Sequence, residues 1–125
     1  MNLQEWQDEA YKLSEEKNLD LSETIDGQLF VPDYSPSEFI WALQLTREYN
    51  LTDNRYYLRQ VEDCCCYYCK KSYKTKEIKR YDGEYAYCPF CGVDAVMPMV
   101  LSEEQLSLLG QIMFSPVRII SNRID

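Results

Sequence analysis

Cys64-Cys65-Cys66-Tyr67-Tyr68-Cys69 opens the second half of the chain, and Cys88-Pro89-Phe90-Cys91-Gly92 follows the last of those cysteines after 18 intervening residues. These two stretches decide the fold. In each, two residues separate a pair of cysteines, so one tight turn can present both sulfurs to a single ion. Two such turns complete the tetrahedron of a closed structural zinc site. Cys66, Cys69, Cys88 and Cys91 are therefore the expected ligands of one structural Zn2+. Gly92 stands where the backbone must turn close to the sulfurs and positive φ is useful. Pro89 fixes φ within its turn. The competing reading is free thiols or two redox dithiols. A redox pair would want a helix N-terminus following a strand, and neither pair has that setting.

The 18 residues between the knuckles suit a hairpin. Its expected tip is Asp82-Gly83. Tyr73, Thr75, Ile78 and Arg80 belong to the outgoing strand, and Tyr85, Ala86 and Tyr87 to the return. Two knuckles at the open end of a hairpin make a zinc ribbon. Cys64 and Cys65 are read as small buried apolar side chains or spare thiols. A swapped ligand and a redox-sensitive switch are the sharper alternatives.

Residues 64–96 carry a resemblance. Cys64-x-Cys66-Tyr67-Tyr68-Cys69, then Glu77-Ile78, then Tyr87-Cys88-Pro89-Phe90-Cys91-Gly92-Val93-Asp94-Ala95-Val96 resembles a group of short bacterial zinc-ribbon proteins. Their second knuckle reads Cys-Pro-x-Cys-Gly-(Ile/Val)-Asp-(Ser/Ala)-Val, and a C-terminal helix follows it. The resemblance implies the same four ligands, one by one. It implies no particular activity.

Outward toward the N-terminus, Leu3, Trp6, Ala10 and Leu13 share a face at helical spacing, which predicts a helix over 3–17. Asp26-Gly27, between short apolar runs, predicts a hairpin turn leading into Leu29-Phe30-Val31. Ser35-Pro36-Ser37-Glu38 is a helix start with a capping box; that helix runs to about Tyr49 and stops at Asn50. Residues 54–63 read two ways: Thr52 can cap a short helix, the preferred reading, while Arg55-Tyr56-Tyr57-Leu58 also suits a strand. Toward the C-terminus, Ser102 and Gln105 form a second capping box. Leu106, Leu109 and Met113 make the apolar stripe of the last helix, with Gly110 a weak spot inside it. The tail Val117 to Ile120 is expected to add a strand or pack on the core. The fold class is α+β: a small helical N-terminal part with a short hairpin, a four-cysteine zinc ribbon and a C-terminal helix. The segments are 1–63, 64–98 and 99–125, expected to pack as one compact unit.

Composition narrows the function. The chain has 125 residues, no histidine and a net charge of −8. Residues 1–63 hold 14 acidic and 5 basic side chains, a balance of −9; residues 64–125 hold 7 and 8, a balance of +1. The acidic N-terminus has no basic flank followed by an apolar block, and no run suits a membrane span, so a cytoplasmic setting is expected. Four cysteines close the zinc site, and neither a phosphate loop nor a nucleophile elbow is present, so no catalytic activity is expected. Lys70, Lys71, Lys74, Lys76, Lys79 and Arg80, interleaved with tyrosines, are candidate contacts to nucleic acid or to a protein partner. The acidic balance argues against nucleic acid as the main partner. In size, charge and abundance of tyrosine the chain is similar to phage anti-CRISPR proteins and to immunity proteins that neutralise toxins. That likeness implies an inhibitor of a basic nuclease or CRISPR effector such as a Cas9-type enzyme, with blocked DNA loading as the mode. A nucleic-acid-binding zinc ribbon with a regulatory role is the alternative.

Overall fold

In the computed structural model, residues 1–114 are described. They cluster into two compact units, one formed by residues 1–44 with residues 111–114, the other by residues 45–110. The proposed strand or packing segment at Val117 to Ile120 lies outside the described residues.

The first unit is helical. Helix α1 spans Leu3–Glu16 and begins with a reciprocal cap between Asn2 and Glu5, which satisfies two free backbone donors. Trp6 and Ala10 are buried on its inner face, and Leu3 and Leu13 are half-buried beside them. The Trp6 ring packs edge-on against Phe39, 5.1 Å between centroids, and its Nε1–H donates to the Tyr34 carbonyl at 3.0 Å. That hydrogen bond lets a large aromatic be buried without stranding its one polar atom. Helix α2 spans Ser22–Asp26 and turns Ile25 into the same core. Gln7 and Tyr11 of α1 bond to Ile25 and Asp26, tying the two helices together.

The hairpin expected at Asp26-Gly27 is therefore replaced by a helix end. Gly27 takes φ −75° and caps α2, so it makes no use of the left-handed freedom that suggested a hairpin. Leu21 and Ile25, four residues apart, are both buried. Helical spacing won over the turn signal. Leu29, Phe30 and Val31 follow as an irregular, exposed run. Helix α3, Pro36–Tyr49, starts with the predicted capping box: Ser35 N–H donates to Glu38 at 2.8 Å and Glu38 N–H to Ser35 Oγ at 3.1 Å.

The second unit is built on a small sheet. Strand β1, Asp63–Cys66, lies between β2, Ser72–Lys74, and β5, Val96–Met97, all antiparallel. A second ribbon pairs β3, Tyr81–Asp82, with β4, Tyr85–Ala86. The outgoing strand predicted through Thr75 to Arg80 is interrupted. A 3-10 turn at Thr75–Glu77 breaks it, closed by Glu77 accepting from the Lys74 N–H. The hairpin tip falls one residue later than expected. Gly83-Glu84 is the loop, with Gly83 at φ +61° in the first position, the arrangement of a type II′ turn.

Helix α4, Asn54–Leu58, confirms the helical reading of that segment, but Thr52 does not cap it. The Thr52 hydroxyl donates instead to the Arg47 carbonyl, closing the C-terminal end of α3. Helix α5, Glu103–Met113, begins with the Ser102–Gln105 box. Leu106 and Leu109 are buried as expected; Ile112, rather than Met113, is the third buried member. Gly110 has a physical reason. A Cβ there would sit 2.7 Å from the Tyr67 carbonyl oxygen, so only a glycine allows this approach.

Candidate metal centre

Both knuckles fold to one pattern. In the first, Lys70 N–H donates to the Cys66 carbonyl at 2.8 Å and Cys66 N–H to the Lys71 carbonyl at 2.9 Å. In the second, Gly92 N–H donates to the Cys88 carbonyl at 2.9 Å and Cys88 N–H to the Val93 carbonyl at 3.0 Å. Each turn closes on a residue of positive φ, Lys70 at +66° and Gly92 at +77°. The sequence announced the second of these through glycine. It hid the first behind a lysine, which only the equivalence of the two knuckles would have revealed.

The fold brings the four predicted ligands together. One sulfur from each of Cys66, Cys69, Cys88 and Cys91 lies within 4.8 Å of every other. Cys66 and Cys91 sulfurs stand 3.6 Å apart, and Cys69 and Cys88 sulfurs 3.7 Å. A tetrahedral ion with metal–sulfur bonds of about 2.3 Å has sulfur–sulfur edges of about 3.8 Å. The two measured edges fit that figure, and both are far too long for a disulfide. All six cysteines are free thiols. The cluster can hold a metal ion.

The surroundings treat the sulfurs unequally. Burial pushes the Cys66 thiol well above its ordinary range, although the backbone N–H groups of Cys69 and Tyr68 work against it. Burial also raises Cys69. Burial acts on Cys88 in the same sense, but the Tyr73 hydroxyl and the N–H groups of Cys91 and Phe90 outweigh it and hold that thiol down at about 7. Cys64 and Cys65 are fully buried in β1, outside the four-sulfur cluster, and burial raises each to about 11.

A network of buried asparagines supports the centre. Asn50 Nδ2 donates to the Asp94 and Val96 carbonyls, while its Oδ1 accepts from the Tyr67 hydroxyl at 2.7 Å. Asn54 Nδ2 donates to Tyr49 and Val96 carbonyls, and its Oδ1 accepts from the Ala86 N–H. These side chains join the end of α3 and the start of α4 to the strands bearing the knuckles. The sequence marked Asn50 only as a helix stop. A lone polar residue at a helix end gives no sign that it will be buried.

The six basic candidates are all exposed, and they meet different surroundings. Lys74 is paired with Asp63 at 2.7 Å. Lys71 lies over the Phe90 ring at 4.6 Å, and Arg80 over the Tyr87 ring at 4.3 Å. Lys70 forms the first knuckle, Lys76 sits in the 3-10 turn, and Lys79 follows it. No helix among the described residues is long and apolar enough to cross a membrane. No protein-family model, curated protein or solved structure matches the chain.

Proposed function

We propose that this chain is a non-enzymatic, zinc-stabilised binding protein that inhibits a basic nucleic-acid-handling protein, in the manner of an anti-CRISPR protein acting on a Cas9-type effector. Zinc is the ion that best suits four cysteine thiolates at tetrahedral spacing. One observation carries the inhibitor reading. Leu29, Phe30 and Val31 are 45%, 60% and 41% exposed, and no hydrogen bond engages them among the described residues. An apolar run held open to solvent is costly unless something covers it. It lies within residues 1–44, which hold 10 acidic and 2 basic side chains, a balance of −8 that equals the charge of the whole chain. An apolar anchor with an acidic surround suits a partner whose apolar pocket is rimmed by lysine and arginine. The acidic residues are dispersed rather than ordered as a phosphate-like run, which favours clamping a mobile domain of the effector over imitating DNA.

A second reading has its own support. Tyr68 and Phe90 occupy equivalent positions in the two knuckles, are 53% and 52% exposed, and stand beside Lys70 and Lys71. Exposed aromatics flanked by lysines suit single-stranded nucleic acid. The four-thiolate centre beside them adds about two negative charges, which counts against it.

Size-exclusion chromatography and cleavage assays with Cas9-type effectors test the proposal. The expected result is a complex that retains guide RNA, loads target DNA poorly and is lost on Phe30→Asp substitution. Normal cleavage in excess of the protein would overturn the inhibitor reading and leave the metal site standing. A gel shift of single-stranded nucleic acid at nanomolar protein, abolished by Lys70→Glu with Lys71→Glu, would establish the second reading instead.

A further inference from the structure

Tyr73 sits at the centre of β2, paired with Cys64 of β1, and Cys64 Sγ donates to its carbonyl at 3.7 Å. Its ring packs on Phe90 at 5.3 Å between centroids, and the side chain is only 8% exposed. Its hydroxyl makes no hydrogen bond among the described residues. A buried hydroxyl with no acceptor is costly, and such groups are rare unless a function retains them.

Phe90 lies between Cys88 and Cys91, so this ring contact sets Tyr73 against the second knuckle, and its hydroxyl is among the groups that lower the Cys88 thiol. A thiol is a weak acceptor, which explains why no well-formed hydrogen bond is present. A metal-bound thiolate carries negative charge and is a far better one. The two knuckles supply a built-in comparison. The backbone N–H groups of Tyr68 and Cys69 lower the Cys66 thiol, and those of the equivalent Phe90 and Cys91 lower Cys88, Phe90 N–H lying 3.4 Å from the Cys88 sulfur. Cys88 has the Tyr73 hydroxyl acting on it in addition.

We propose that the Tyr73 hydroxyl is an outer-shell donor that bonds to the Cys88 thiolate when the metal is bound, and so sets the strength of the site. The proposal rests on the metal reading. Four thiolates around a divalent ion leave a net charge of about −2 in a partly buried setting, and every donor to sulfur offsets some of it. Tyr73 is thus a positioning residue: it touches a ligand and leaves the ion to the four sulfurs.

Tyr73→Phe removes one oxygen and keeps the ring against Phe90. Zinc affinity is measured by chelator competition at fixed pH, and cobalt is used as a spectroscopic substitute. The expected loss of zinc affinity is about tenfold. The sulfur-to-cobalt charge-transfer band should move to lower energy, because a sulfur without its donor gives up electron density more readily. The metal-free variant should be no less stable than the parent, since an unpaired hydroxyl has been removed. Tyr67→Phe serves as the control: its hydroxyl bonds to Asn50, so stability should fall while the band stays in place. Unchanged zinc affinity and an unchanged band in Tyr73→Phe would overturn the proposal. Failure of the parent protein to bind zinc or cobalt would overturn the metal reading itself, and this inference with it.

Discussion

Lys70 and Gly92 do the same work with different chemistry. Both close a knuckle at positive φ, where a side chain costs about 1–2 kcal/mol and glycine costs nothing sterically. Gly92→Ala should therefore destabilise the protein by about 1–2 kcal/mol, and Lys70→Gly should stabilise it by about 0.5 kcal/mol after the entropy of the added glycine is counted. Denaturant melts of zinc-loaded protein decide both signs. Gly110→Ala is a sharper case. In an open helix it would gain about 1 kcal/mol. Here the new methyl would meet the fixed Tyr67 carbonyl, and overpacking of that kind costs about 1–3 kcal/mol. A net gain on melting would show that α5 can shift away at little cost. Asn54→Ala should cost about 2–4 kcal/mol, because the Ala86 N–H and the Tyr49 carbonyl lose their buried partner.

Two Asp-Gly pairs met different fates at the level of elements. Tyr81 and Ala86 pair across the second of them, so the glycine beside Asp82 becomes part of a hairpin loop. Around Asp26-Gly27, buried Leu21 precedes a short helix that carries buried Ile25, and the dipeptide merely ends it. The local signal was the same; tertiary burial separated them. The capping boxes at Ser35 and Ser102 were legible because each is complete within four residues. The four-cysteine cluster was legible for the same reason, as its geometry is written into two short turns. Tyr73 packing on Phe90 and Asn54 reaching Val96 depend on chain segments far apart, and no local pattern announces them. The knuckles also set an expected pH response. Burial holds Cys66 and Cys69 protonated at neutral pH, so metal capture must displace their protons. Zinc affinity should fall as pH is lowered from about 8 to about 6, with more than one proton released per zinc bound. A pH-independent competition titration would exclude thiolate ligation. Cys88→Ser should abolish binding, whereas Cys65→Ser should keep one zinc per chain and lose about 1–3 kcal/mol for the buried hydroxyl.

Net charge is a property of the whole molecule, and it marks residues 1–44. The entire net charge of −8 resides there, together with the open run at Leu29 to Val31. On the proposed inhibitor reading, association with the basic partner should begin electrostatically and be completed by apolar contact. Raising ionic strength from about 0.05 to 0.5 M should slow association more than it speeds dissociation, since screening acts on the encounter. Phe30→Ala should do the reverse and shorten the lifetime of the complex. Surface-plasmon resonance with a captured effector separates the two effects, and a salt-insensitive on-rate would remove charge from the account.

Burial divides the four sulfurs into an inner and an outer pair: Cys66 and Cys88 are buried, Cys69 and Cys91 only half so. That difference bears on how an ion comes and goes. A competing thiol must bond to the metal before a protein sulfur lets go, and it can approach only along the outer edge. Exchange should thus proceed through the second cysteine of each knuckle. Small chelators should strip the ion much faster than bulky ones of equal affinity. Alkylation followed by mass spectrometry should find Cys69 and Cys91 modified first, with Cys66 and Cys88 trailing as the last to release their hold.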